Sequence, residues 1–270
     1  MDSDTGYEML RRLQLFELED LSWFPDVWRR AMTRYMRTAV NLVGFPAPWA
    51  EKLAALGPQG GGVFRIVDLG SGSGGAIPSI ISELRRTGYS PEVTLTDLYP
   101  NPESFSSEHS AVGGKEVRYW PEPIDATCVP PEFAGVRTMF LSFHHHPPER
   151  ARAILRNAFD KRIGIGVFEF SARKPIVLLS NLLLVPLAVL FVTPIIRPLK
   201  LSQLFFTYVI PLVPFFMLWD ALVSGLRTYS PEEFRVMTAD MQSPDYVWST
   251  GELRVSKSLG AFPWLTGRPK

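Results

Sequence analysis

The stretch that decides the fold runs from Ile66 to Gly75 and reads Ile-Val-Asp-Leu-Gly-Ser-Gly-Ser-Gly-Gly. A short apolar run ends in an acid, a glycine ladder follows, and Ala76–Leu84 then has the pattern of a helix. A strand, a tight glycine turn and a helix bring bare backbone amides to a helix N-terminus, where a ligand can bind directly. Glycine suits such a turn because it adopts positive φ and because a Cβ would hold the ligand away.

The glycine spacing alone fits more than one class of nucleotide-binding protein. Gly70, Gly72 and Gly75 satisfy G-x-G-x-x-G, the fingerprint of NAD- and FAD-binding folds. Thr94–Tyr99 predicts a second strand that ends at Asp97, where a carboxylate can bind a ribose diol in either class. A nicotinamide- or flavin-dependent oxidoreductase and a non-catalytic nucleoside-binding subunit therefore stay open as alternatives.

Further features favour one class. The pattern D-x-G-x-G-x-G that begins at Asp68 resembles motif I of the class I S-adenosylmethionine-dependent methyltransferases. The pair Asp125-Ala126 resembles the Asp-Ala pair that these enzymes place beside the adenine after their third strand. Thr138–Phe143 looks like their fourth strand running into its loop. The chain is thus similar to this family over about Val63 to Glu169.

The resemblance implies S-adenosylmethionine (SAM) as the cofactor and gives each motif a role. Asp97 would bind the ribose hydroxyls, and Asp125 with Ala126 would contact the adenine. Gly70 and Gly72 would lie under the methionine moiety. The full set of predicted cofactor-binding residues is Asp68, Gly70, Ser71, Gly72, Gly74, Asp97, Leu98, Asp125, Ala126 and Phe143.

Alternation of strands and helices from Val63 onward predicts the fold class. The predicted strands are Phe64–Leu69, Glu92–Thr96, Val117–Tyr119, Thr138–Phe143 and Gly164–Glu169. This spacing predicts an α/β protein with a doubly wound, mostly parallel sheet of the class I methyltransferase type. Tyr246–Val255 and Ala261–Thr266 are expected to close the sheet, the last strand running antiparallel. Because it contains Pro263, this last strand is expected either to be an edge strand or to have the proline at its terminus.

Four regions are expected along the chain: a helical N-terminal cap (1–60), a cofactor-binding core (61–172), an apolar helical insert (173–227), and a final helix with the closing strands (228–270). The cap is predicted to be helical from about Tyr7 to Leu56. It either packs beside the sheet or closes over the cofactor, and the residues expected to close are Glu17, Asp20, Trp23 and Phe24. The final helix is expected to begin at the capping box Ser230–Glu233.

The insert has two uncharged stretches, Pro175–Ile196 and Leu201–Trp219, each about the roughly 20 residues that span hydrocarbon. Prolines interrupt both stretches, and each proline removes a backbone donor. A spanning hairpin would also put Arg197 and Lys200 on the outer side, against the positive-inside tendency. A lid or homodimer face, a segment in the membrane interface, and a spanning hairpin all stay open.

Chemistry is expected at the carboxyl ends of the strands. Methyl transfer needs an aligned acceptor and, where the acceptor is weak, removal of its proton. His144, His145 and His146 follow the fourth strand, and histidine can act as a base near neutral pH. Glu169 ends the fifth strand and could orient a donor group on the acceptor. No metal site is expected, because no Cys, Asp or Glu joins the histidine run at ligand spacing.

The composition of the chain limits the classes of molecule that it is expected to bind. The net charge is +1 and charged residues make up 20% of the chain, which argues against electrostatic capture of nucleic acid. The single cysteine, Cys128, excludes an internal disulfide. The acidic, polar start Met1–Thr5 does not read as a signal peptide, so a cytoplasmic location is expected, with membrane association left open. The acceptor is therefore expected to be a small or lipid-like molecule.

Overall fold

A computed structural model describes residues 11–72, 74–100, 116–254 and 260–270. Its strands are β1 (Gly62–Leu69), β2 (Tyr89–Thr96), β3 (Val117–Tyr119), β4 (Val136–Phe140), β5 (Ile165–Phe168), β6 (Tyr246–Leu253) and β7 (Phe262–Pro269). They form one seven-stranded sheet of order β3-β2-β1-β4-β5-β7-β6, in which β7 runs antiparallel to both of its neighbours. The predicted fold class, a doubly wound and mostly parallel α/β sheet, is confirmed.

Both faces of the sheet are covered, as a doubly wound fold requires. Successive residues of β1 point to opposite faces: Phe64 and Ile66 pack in one core, Val67 and Leu69 in the other. The α-helices of seven residues or more are α1 (Asp26–Val43), α2 (Pro46–Ala54), α3 (Ile77–Arg86), α4 (Pro148–Asp160), α5 (Pro175–Val192), α6 (Leu212–Arg227) and α7 (Pro231–Met237), and a shorter one, Leu201–Leu204, lies between α5 and α6.

Local sequence accounts for several helix ends. Pro25 precedes α1, as its fixed φ favours, and Gly44 ends that helix with a φ of +86°. The predicted capping box begins α7: Ser230 Oγ accepts from the Glu233 amide at 3.1 Å. The Glu233 carboxylate in turn accepts from the Ser230 amide at 2.8 Å.

The predicted helical cap is correct only in part. Asp26–Val43 and Pro46–Ala54 are helical, Tyr7–Leu10 lie outside the described residues, and Arg11–Glu17 has no regular secondary structure. The Leu13 amide donates to the Leu226 carbonyl at 3.1 Å, and Arg12 Nε donates to the Arg227 carbonyl at 2.6 Å. Bonds to the end of α6 therefore replace the helical bonds that the apolar period suggested.

The closing strands differ from the prediction in one respect. β7 is not an edge, since it lies between β5 and β6. Pro263 is its second residue, so the proline does lie where the strand begins. The Pro263 carbonyl accepts from the Glu169 amide at 3.3 Å, which uses the one backbone group the proline retains. Val255, the predicted end of the preceding strand, lies outside the described residues.

The apolar insert and the cap form one helical layer over the carboxyl edge of the sheet. Met32 and Tyr35 of α1 pack with Val189 of α5 and with Val213 and Met217 of α6. Among the described residues, Pro175–Ile195 is the helical stretch long and apolar enough to cross a membrane, with a mean hydropathy of 2.5 and 17% of it buried. Leu201–Val209 and Leu212–Arg227 pass the same test only together and are bent by 81°.

Candidate active site

The glycine turn joins the ends of the first two strands. Gly70 and Gly72 have φ of +62° and +52°, a region in which side chains with a Cβ are strained. Ser71 Oγ donates to the Asp68 carbonyl at 2.8 Å and accepts from the Thr96 amide at 3.2 Å. The turn is therefore held by hydrogen bonds to both β1 and β2.

Asp97, at the end of β2, is fixed by two backbone amides. The Gly72 amide donates to Oδ2 at 2.8 Å, and the Tyr99 amide donates to Oδ1 at 2.9 Å. Each carboxylate oxygen has a second acceptor position, so Asp97 can still accept from a ligand hydroxyl.

Asp68 lies beneath the turn and is buried. Thr138 Oγ1 donates to its Oδ1 at 2.6 Å. Burial raises the pKa of Asp68 to about 7, although the hydrogen bonds from Thr138 and Ser71 act in the opposite direction. This carboxyl can consequently change its charge near neutral pH.

These residues share one wall of a cavity of about 1680 Å³. Ligand pockets are typically about 300–1,000 Å³, so this cavity has room for two ligands side by side. Its sheet wall includes Asp68, Gly70, Ser71, Gly72, Gly74, Asp97, Leu98, Ile124 and Ala126. Its second wall includes Trp23 in the turn before α1, Arg29, Arg30 and Tyr35 of α1, and Ile176, Ser180, Leu184, Val185, Ala188 and Met217 of α5 and α6.

Three predicted site residues do not line the cavity. Asp125 accepts from the Thr127 amide at 2.8 Å and pairs with Arg150 at 3.0 Å. The ring of Phe143 is fully buried in the core, because β4 ends at Phe140 and Leu141, with a φ of +58°, turns the chain. Glu169 is buried behind the histidine run.

His144 lies between two carboxylates. Its Nδ1 donates to Glu169 Oε2 at 2.7 Å, and its amide donates to Glu169 Oε1 at 3.0 Å. Its Nε2 lies 3.3 Å from Glu17 Oε1. Burial acts to lower the pKa of His144, but Glu169 and Glu17 outweigh it and raise the pKa to about 10. The imidazole therefore carries a proton at neutral pH in this arrangement.

The other two histidines also line the cavity. His145 Nδ1 donates to Asp20 Oδ1 at 2.6 Å, and its Nε2 lies 3.8 Å from Glu17 Oε2. Burial, together with the nearby charges of His145 and Arg150, lowers the pKa of His146 to about 4, so this imidazole is neutral at neutral pH. The three adjacent histidines thus have three different environments.

Two arginines that sequence reasoning missed hold the histidine run in place. Buried Arg227 pairs with Asp20 at 2.6 Å and with Glu17 at 3.2 Å, and its Nη2 donates to the His145 carbonyl at 3.0 Å. Arg12 Nη2 lies 3.1 Å from the carbonyls of both His144 and His146. The sequence carried no signal for them, because single arginines far from the run look like surface residues.

Comparisons with known proteins bear on the fold. No protein-family model matches the chain, and no curated protein matches its sequence. Among solved structures, human N-acetylserotonin methyltransferase in complex with SAM superposes with a TM-score of 0.51 at 12% identity, over 91% of this chain and 57% of that one. The chain has the class I methyltransferase fold.

Two further structures are similar over nearly their whole length. The plantazolicin methyltransferase BpumL, in complex with SAH, has a TM-score of 0.49 at 11% identity, over 93% of this chain and 94% of that one. Magnesium protoporphyrin IX methyltransferase from Synechocystis, with bound SAH, has a TM-score of 0.46 at 13% identity, over 91% and 94%. This chain spans a little over half the length of the human enzyme.

Proposed function

We propose that the chain is a SAM-dependent methyltransferase that acts on a small or lipid-like acceptor. One observation carries the proposal: the glycine turn and Asp97 form one wall of a large cavity, and apolar residues of α5 and α6 form part of a second wall, beside charged residues of α1 such as Arg29 and Arg30. The first wall has the groups that bind a nucleoside and an amino acid. The second has the groups that bind an apolar molecule.

The residues of the sheet wall fit the cofactor. A Cβ built on Gly72 meets nothing within 4 Å, so the backbone there faces open space that a ligand can fill. Asp97 would accept from the ribose hydroxyls, and apolar Ile124 and Ala126 would contact the adenine. Asp68 would face the methionine end, where a carboxylate attracts the amino group. When bound, SAM supplies a methyl group on a sulfonium.

The oxidoreductase alternative fits less well. Dinucleotide-binding sheets have the order 3-2-1-4-5-6 with parallel strands. Here β7 lies between β5 and β6 and runs antiparallel to both. The insertion of this strand separates the fold from the dinucleotide type despite the shared glycine spacing.

The acceptor side is formed by α5 and α6. Leu184, Val185 and Ala188 of α5 line the cavity, as does Met217 of α6. α5 also has exposed apolar residues that do not line the cavity, which we call the outer face: Leu179, Leu182, Leu183, Leu187 and Phe191. Since one helix contacts both the cavity and the surroundings, we propose that the outer face lies in a membrane interface and that a lipid-like acceptor enters beside it.

The histidine run would hold the acceptor in line with the methyl group. His144 already carries a proton, so it would act as a donor. His145 is the more exposed of the two, and Asp20 orients its ring. We therefore assign the alignment of the acceptor to His145, with Glu169 and Asp20 as positioning residues. With SAM bound, the acceptor atom would bond to the methyl carbon as the carbon–sulfur bond breaks, S-adenosylhomocysteine would be the leaving group, and the proton of the acceptor would pass to solvent.

Two measurements test the proposal. Titration calorimetry of the purified chain should show one site for S-adenosylhomocysteine and none of comparable affinity for NAD⁺. Mass spectrometry of reactions with SAM and fractionated lipids or small hydroxylated compounds should then detect a mass gain of one methyl group. Tight NAD⁺ binding would overturn the assignment, and cofactor binding without turnover on any fraction would favour a non-catalytic subunit. Methylation of tRNA that falls steeply with salt would contradict the acceptor class.

A further inference from the structure

The imidazoles of His144 and His145, which line the part of the cavity proposed for the acceptor, have the same hydrogen-bond arrangement. His144 Nδ1 donates to Glu169 at 2.7 Å, and His145 Nδ1 donates to Asp20 at 2.6 Å. A carboxylate on Nδ1 fixes the tautomer and leaves Nε2 as the free nitrogen. Histidines that bind metal ions through Nε2 have this carboxylate–histidine arrangement in proteins.

The two free nitrogens converge on one carboxylate. His144 Nε2 lies 3.3 Å from Glu17 Oε1, and His145 Nε2 lies 3.8 Å from Glu17 Oε2. One ligand atom from each residue lies within 4.8 Å of the other two. Bonds of about 2.0–2.1 Å in a tetrahedral site imply about 3.4 Å between ligand atoms. The three side chains are therefore already close to the separation that a bound ion requires.

The same atoms contact each other and Arg227 at ion-pair distance but make no hydrogen bond within the described part of the protein. Among the described residues, neither His144 Nε2 nor Glu17 Oε1 has a partner in hydrogen-bond geometry, although both side chains are only 5% exposed. Arg227 lies within ion-pair distance of Glu17 but donates to Asp20. A bound metal ion would displace the Nε2 proton that His144 carries in the metal-free protein. Three carboxylates and one guanidinium would then leave a formal charge of minus two, which one divalent cation would balance.

We propose that Glu17, His144 and His145 bind a divalent transition metal ion. All three residues line the cavity, so a fourth coordination position would face the acceptor end, where an oxygen of water or of the acceptor can bind. The sequence argued against a metal because Glu17 is distant from the histidine run. The proposal deepens the proposed function, since His145 would align the acceptor through the ion it holds.

Metal binding can be tested without the methyl-transfer reaction. The full chain, dialysed against a chelator, is titrated with Zn²⁺ by calorimetry and with Co²⁺ by its visible absorption. We expect one ion per chain and the absorption of four-coordinate Co²⁺. His145→Ala removes a ligand and should weaken Zn²⁺ binding by about 100-fold or more. Asp20→Asn removes the carboxylate behind His145 and should weaken binding by about 10- to 100-fold.

His146→Ala is the matched control, because it removes a histidine of the same run that is not a ligand and should leave Zn²⁺ affinity unchanged. Wild-type protein that binds neither ion stoichiometrically would overturn the proposal, as would His145→Ala protein that binds Zn²⁺ as tightly as wild type. Circular dichroism checks that the variants are folded. Titration of metal-free protein with S-adenosylhomocysteine reports on the cofactor site alone, so failure of the two proposals can be told apart.

Discussion

The main-chain amide of Gly72 donates to the carboxylate of Asp97 across 2.8 Å, so the glycine turn and the end of β2 hold each other in place. A ligand that binds one of these residues is therefore adjacent to the other. Cofactor binding can depend on access to the backbone at Gly72 and on the carboxylate charge of Asp97. Substitutions at the two residues test these contributions separately.

The carboxylate is tested by Asp97→Ala. Loss of a charged hydrogen bond to a ribose costs about 1.5–3 kcal/mol, so affinity for S-adenosylhomocysteine should fall by about 10- to 100-fold. Calorimetry measures this change. Glu92→Gln is the control, because Glu92 lies on the same strand and pairs with Arg65 at the surface. Equal affinity for the Asp97 variant and wild type would remove Asp97 from the site.

Backbone access is tested by Gly72→Ala. The left-handed conformation costs a residue with a Cβ about 1–2 kcal/mol, and the added methyl would also occupy space proposed for the cofactor. Gly60→Ala matches the strain, since Gly60 has a φ of +81° and an equally open surrounding. We expect both variants to lose similar stability in urea, but only the Gly72 variant to lose about tenfold or more in affinity for S-adenosylhomocysteine. Parallel losses of affinity would argue against a ligand at Gly72.

The pH dependence of the stability of the metal-free protein should report on His144. Its folded pKa of about 10 lies above the ordinary value of 6.5, so its contribution is complete below pH 6.5 and is lost as pH rises toward 10. One such group gives a slope of at most about 1.4 kcal/mol per pH unit. Urea unfolding of wild type should show the decline, and His144→Gln should flatten it.

His146 supplies a comparison of opposite sign. Its folded pKa of about 4 lies below 6.5, so its contribution is present above pH 6.5 and is lost as pH falls toward 4. His146→Gln should flatten the acid side of the same curve and leave the alkaline side unchanged. A His144 variant with the wild-type alkaline slope would show that His144 is not the protonated group.

Arg227 should matter for stability more than any surface arginine. Its removal leaves the buried carboxylate of Glu17 and the more exposed carboxylate of Asp20 without the guanidinium that pairs with both, and loss of one partner of a buried pair typically costs about 3–5 kcal/mol. Arg227→Met keeps much of the side-chain volume and isolates the loss of charge. Arg235→Met breaks only an exposed pair with Glu232 and should cost less than about 1 kcal/mol. Urea unfolding that gives equal losses would contradict the buried network.

The outer face of α5 is tested with vesicles. Leu183 is 64% exposed, and Leu183→Glu should weaken co-sedimentation with vesicles of phosphatidylcholine and phosphatidylglycerol by about tenfold, because burial of a leucine contributes about 1.5–3 kcal/mol. Val236→Glu changes a residue that is 72% exposed on α7 and should have no effect. Wild-type protein that ignores vesicles and elutes as a dimer, which Leu183→Glu dissociates, would identify the face as a dimer interface instead.

Sequence patterns predicted the sheet well because its signals are local. The apolar run before Gly70 and the acid at Asp97 each mark a strand end within a few residues. The positions of helices in the insert also follow from its uncharged stretches. The capping box at Ser230 needs only four consecutive residues, and it formed as expected.

The candidate site was less predictable because its polar contacts join distant segments. Glu17 and Arg227 meet the histidine run only after α6 and the extended N-terminal segment fold over the sheet. The apolar period before Glu17 predicted a helix, but hydrogen bonds to Leu226 and Arg227 compete with helical bonds, and such contacts leave no mark on a single sequence. The buried charge network is therefore the part of this protein that sequence patterns predict least well.

The position of β7 between β5 and β6 divides the sheet into a parallel part and an antiparallel part. Within the described part of the chain, β6 pairs in the sheet with β7 alone, so the two strands form an antiparallel pair that joins the parallel part through one seam, β5 against β7. The glycine turn, Asp97 and the histidine run all lie on the other side of that seam. Force applied to the antiparallel pair would therefore act on this seam before it acts on the five parallel strands that hold the ligand-binding edge.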